Sequence, residues 1–180
     1  MGSWQPDWTR LLGVGIQLPE GNPTGPGTML AVDSLSLGPK RVGTSICAQT
    51  QANSTGAPGH LMAIGSVEAQ ANGFALLATE LPPGQPIYFL ASETPAQIAN
   101  PGGAVGTLCL GPAILRITST LGVVNGSGRH AAHVDLASPP LGASTADQIG
   151  RTLRFQAWHR EPLGGPFGSG FTDAVKVTFQ

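Results

Sequence analysis

Few residues in this chain have reactive potential, and their spacing decides what each could do. His130 and His133 stand three apart in the string HAAH. On a helix, positions i and i+3 share a face and could hold a metal; on a strand they point to opposite sides. Residues 130–136 read as a strand, so a shared metal is not expected, and no metal or other cofactor is predicted. His133, Asp135 and a serine would supply the parts of a hydrolase triad. No G-x-S-x-G elbow marks a nucleophile, and triads are defined by geometry rather than by the presence of common residues. The acids are scattered singly, which gives no support for the paired carboxylates of glycoside cleavage or the clustered oxygens of a calcium site. Asp173 follows a Gly-rich loop and sits beside Thr172. It would fit the edge of a calcium site, but a polar turn opening the last strand is the simpler reading. The chain is therefore expected to be non-enzymatic.

Three outward-facing residues are candidates for binding. In residues 152–160 (TLRFQAWHR), Leu153, Phe155 and Ala157 share one face of an alternating strand, and Arg154, Gln156 and Trp158 share the other. An exposed Trp158 would be a stacking platform for a sugar or a protein partner; a buried one would belong to a second apolar layer. The reading taken is partial burial, with Trp158, Arg154 and Gln156 as the binding set.

Cys47 and Cys109 are the two cysteines, with no CxxC spacing. They suit a single disulfide, which by loop entropy would stabilise the fold by about 4 kcal/mol. Two separate buried thiols are the alternative. No histidine lies at zinc-ligand spacing from either. Asn53-Ser54-Thr55 and Asn125-Gly126-Ser127 match the N-glycosylation pattern, but both sit in turn clusters and are read as turns.

These residues must be positioned by strands. Gly (26) and Pro (16) are abundant and hydrophobic content is 41%, the composition of many tight turns between short strands rather than of disorder. Strands are predicted over residues 60–67, 74–79, 87–91, 106–110, 113–117, 130–136, 152–160 and 174–180, at sandwich-like spacing. A single helical turn is predicted near residues 144–149. Two further strands, 11–18 and 29–37, precede them. The expected fold is all-β: an antiparallel β-sandwich of immunoglobulin-like or jelly-roll-like kind with an N-terminal two-strand extension. Its parts are residues 1–38 (extension or remnant of a preceding β-domain), 39–46 (linker) and 47–180 (sandwich).

Two resemblances add to this. Trp8, the Gly13–Gly15 punctuation and Asp33 in residues 1–38 resemble the closing strands of jelly-roll carbohydrate-binding-like modules, with one acid where such modules often show a pair. Residues 47–180 resemble an uncharacterised β-sandwich module near the C-termini of large secreted bacterial surface proteins. The matching features are Cys47 with Asn53–Gly56, Leu81–Pro86 leading into Tyr88, Gly106–Gly111, Phe155–Arg160 and Phe171–Phe179. His159 stands where such modules more often show tyrosine. No catalytic residues follow from this resemblance.

Charge is sparse, at 11%, and the net charge is -1. The nine cations form no run, so no electrostatic case for a nucleic-acid partner exists. No apolar stretch is long enough for a transmembrane helix. Residues 1–7 do not read as a signal peptide, while the expected disulfide points to an oxidising compartment. The chain is therefore expected to be part of a longer extracellular or cell-surface protein. Its expected function is a non-catalytic structural or adhesive module contacting a surface protein and neighbouring domains; the alternative is a carbohydrate-binding module beside a secreted hydrolase, with a glycan as partner.

Overall fold

A computed structural model describes residues 40–162 and 168–180, which belong to the unit Gly38–Gln180. The strands read over 11–18 and 29–37, and the Trp8 and Asp33 features, lie outside the described residues.

Eleven strands follow in chain order: β1 (Arg41–Val42), β2 (Thr44–Ile46), β3 (His60–Gly65), β4 (Phe74–Thr79), β5 (Pro86–Ser92), β6 (Pro95–Ala99), β7 (Thr107–Leu110), β8 (Leu115–Val123), β9 (His130–His133), β10 (Thr152–Arg160) and β11 (Ser169–Thr178). They form a four-stranded sheet β1-β3-β4-β9, a five-stranded sheet β2-β11-β10-β5-β8 and a separate β6-β7 hairpin. The pairings within these sheets are antiparallel. The fold is an all-β sandwich, as the alternation and turn spacing predict.

The alternation read from sequence positions the core. Phe74 of β4 meets Phe155 of β10 at 5.2 Å between ring centroids and Phe179 at 5.1 Å, the latter edge-on. Leu76, Ile87, Phe89, Leu153 and Val177 are among the other buried residues of this core. Each such side chain contributes about 1.5–3 kcal/mol by leaving water.

Several boundaries differ from the sequence reading. Residues 39–46, expected to be a linker, carry β1 and β2, one strand for each sheet. Gly43 makes the crossing between them at φ +75°, where a Cβ would stand 2.6 Å from the Lys176 carbonyl oxygen. The last strand begins at Ser169 rather than 174. A bulge sets Thr172 and Asp173 opposite Ala157, which breaks the alternation a strand reading depends on. Asp173 therefore lies inside β11 instead of in a turn before it. The predicted helical turn is a 3-10 turn at Thr145–Gln148, with a reciprocal Ser144–Asp147 capping box.

The strand read over residues 106–110 is β7, and its hairpin partner β6 is the strand that the sequence reading lacks. β7 hydrogen-bonds to Gln156, which faces away from the core. The hairpin thus lies on the outer face of the five-stranded sheet and makes a partial third layer.

Candidate functional site

The outer face of the five-stranded sheet takes its character from β10 and its neighbours. Trp158 lies directly opposite Tyr88 of β5 and Phe171 of β11, so three aromatic side chains form a row across adjacent strands spaced about 4.8 Å apart. The Tyr88 and Trp158 ring centroids are 5.0 Å apart, and the Arg160 guanidinium lies 5.5 Å from the Trp158 ring centroid. Trp158 is half-buried, as expected. The row lines a groove of about 670 Å³ with Leu90, Leu108, Ile114, Arg116 and Ser169.

The candidate binding residues are not gathered in one place. Gln156 is buried; its Oε1 accepts from the Cys109 amide at 2.9 Å, and its Nε2 donates to the carbonyls of Thr107 (2.8 Å) and Thr172 (2.6 Å). This corrects the reading of Gln156 as a surface ligand contact: its amide joins β7 to β11 beneath the hairpin. Gln49, which the sequence reading did not single out, repeats the pattern, donating to the same two carbonyls and accepting from the Thr107 amide. Glutamine is mostly an exposed residue, so neither burial had a signal in the sequence.

Arg154 stands on the other side of the hairpin from Trp158, in a notch of about 470 Å³ lined by Ile46, Cys47, Pro95, Gln97, Cys109 and Lys176 among others. Its guanidinium donates to the Glu93 carbonyl. The Cys47–Cys109 disulfide is present, with its Cα atoms 6.1 Å apart. It ties the chain just after β2 to β7. Gly106, at the entrance of β7, allows the close approach: a Cβ there would be 2.8 Å from Gln49 Oε1.

The residues with catalytic potential are committed elsewhere. β9 is a strand, and its two histidines have different partners: His130 Nε2 donates to the Thr120 carbonyl at 3.0 Å, and His133 Nε2 to the Asn72 carbonyl at 2.6 Å. Ser138 donates its hydroxyl to Asp135 at 2.6 Å, so the serine near this pair faces the carboxylate and not the imidazole. That bond, with those from Asn72 and the Ala137 amide, lowers the Asp135 pKa to about 2. No serine or threonine hydroxyl hydrogen-bonds to a histidine ring among the described residues, and no group of three or more His, Cys, Asp or Glu there could hold a metal.

A second His–Asp pair joins the sheets. Asp173 accepts from the Leu61 amide at 2.5 Å and lies 3.2 Å from His60 Nδ1. The bulge in β11 turns this carboxylate toward β3, so it stitches the two sheets together instead of opening a calcium site. Asn53 is likewise buried, donating to the Glu80 carbonyl while its Oδ1 accepts from the Thr55 amide. Asn125 accepts from the amides of Ser127 and Arg129. Both are turn residues, as read. His159 packs against Gly170, and burial lowers its pKa.

None of the described helices is long and apolar enough to cross a membrane. The chain matches no known family, no curated protein and no solved structure.

Proposed function

We propose that the Gly38–Gln180 unit is a non-catalytic structural or adhesive module of an exported or cell-surface protein, and that it makes contact through the outer-face groove. The observation that carries this reading is the row Tyr88–Trp158–Phe171 in a groove of about 670 Å³. The groove lies on a face braced by a disulfide and by two buried glutamines. Such a surface costs little conformational entropy to dock, because its aromatics are held before the partner arrives. Tryptophan and tyrosine are also the residues that most often dominate contact energies. The disulfide fits an oxidising compartment.

A second reading, a carbohydrate-binding module accessory to a hydrolase, is favoured by Arg116 and Ser169 beside the same aromatics. Aromatic faces would take the C–H side of a sugar, and the polar groups its hydroxyls. Sedimentation and a glycan array on the full chain and on Trp158→Ala separate the two. Self-association without glycan binding, weakened by Trp158→Ala, supports the adhesive reading. Glycan binding lost in that variant supports the second. Turnover in an esterase or protease screen would overturn both.

A further inference from the structure

We infer that the notch on the far side of the hairpin is a second binding site, one that takes an acidic sugar through its carboxylate. Arg154 and Lys176 stand directly opposite one another on β10 and β11. Side chains paired in this way share a face with Cβ atoms about 5 Å apart, and like charges there repel. The outward positions of these two strands carry Arg154, Arg160 and Lys176 and no acid. No carboxylate lines the notch among the described residues. Glu93, whose backbone meets Arg154, has its carboxylate committed to Arg151, with Oε1 3.0 Å from Nε. Its backbone carbonyl accepts from Arg154 and holds that guanidinium in place. Lys176 is exposed and forms no ion pair among the described residues.

The chain has only nine Lys and Arg residues in all, so two facing each other in one recess are not a by-product of a basic surface. An anion between them removes the repulsion and gains charge-assisted hydrogen bonds, which the planar guanidinium makes to a carboxylate in paired fashion. The rest of the notch limits what carries that anion. Gln97 brings an amide, Ile46 and Pro95 bring apolar surface, and the volume of about 470 Å³ is that of a small-ligand site. Side-chain cations, one amide and an apolar wall match a compact hydroxylated anion with a C–H face. Arginine clusters also recognise acidic peptide motifs, and hexaglutamate stands for that alternative in the test. This site does not depend on the groove being a contact surface.

The test is calorimetric titration of the full chain at low salt with three probes: a uronic-acid trisaccharide, a neutral trisaccharide and hexaglutamate. The uronic-acid probe is expected to bind at least tenfold more tightly than the other two and to weaken as salt is raised. Lys176→Gln should weaken it tenfold or more, while Trp158→Ala leaves it unchanged, which separates failure here from failure of the groove. Lys176→Glu should abolish binding yet raise the melting temperature by about 1–3 °C, because it turns a repulsive cross-strand pair into an attractive one. No binding of the acidic sugar, equal binding of the neutral one, binding of hexaglutamate as tight as that of the sugar, or undiminished binding by Lys176→Glu would each overturn the inference.

Discussion

The two faces of β10 are built for different ends, although their residues alternate along one nine-residue strand. Inward, Leu153, Phe155 and Ala157 are buried against the four-stranded sheet and its Phe74. Outward, Arg154, Gln156 and Trp158 meet a hairpin that covers only the middle one. Gln156 is sealed beneath β7, and the residues on either side of it open into two recesses. A sheet with one face in the core normally leaves the other to water. Here a two-stranded hairpin, held by one disulfide and two glutamine amides, shapes that second face into a groove and a notch. The inner face holds the aromatic core, and on the proposed reading the outer face makes the contacts.

Substitutions can break or sharpen this contrast. The largest effect belongs to the inner face: Phe155→Ala should cost about 3–5 kcal/mol in denaturant unfolding, by lost burial and the cavity left among Phe74 and Phe179. Removing the disulfide with Cys47→Ser and Cys109→Ser should cost about 2–4 kcal/mol. Hydrogen exchange should then rise in β6 and β7 before it rises in β4 or β10; uniform loss of protection would show that the hairpin is not a separately held layer. Gln156→Ala should cost about 2 kcal/mol, because the Cys109 amide and the Thr107 and Thr172 carbonyls lose a buried partner. Its effect should exceed that of Arg154→Ala, its outward neighbour.

The smallest effect is pH-dependent. Burial lowers the pKa of His159 from 6.5, so below that value the unfolded chain takes up a proton more readily than the folded one. Stability from this residue is complete above about pH 6.5 and declines as the pH falls beneath it. Urea midpoints measured from pH 7.5 to 5.5 should drift downward, and His159→Phe should flatten the drift. Asp135 acts at lower pH with the usual carboxylate sign. Its pKa of about 2 against a normal 3.8 adds stability above 3.8 that is lost as the pH falls through 2.

The sequence revealed the inner face far better than the outer. Alternation in TLRFQAWHR and the short apolar run FALLAT place β10 and β4 with their observed bounds. Two cysteines without close spacing pointed to the bridge. β6 was not legible: PAQIA opens with proline and is largely exposed, so it has no apolar period to read. The start of β11 was obscured by glycine and by its bulge. Gln156 looks like a surface residue in any pattern analysis, since only the hairpin folded over it, from 47 and 49 residues away, makes it internal. The Asp173–His60 stitch joins positions 113 residues apart, a pairing set by tertiary register and absent from any local motif.

The most direct test measures stability and contact together in Tyr88→Ala/Trp158→Ala. If the outer face serves contact, the double variant should lose no more than about 2 kcal/mol, allowing for the aromatic pair, while the glycan or self-association signal of the parent chain disappears. A variant that unfolds outright, or that keeps the full binding signal, would contradict the division of labour between the two faces of β10.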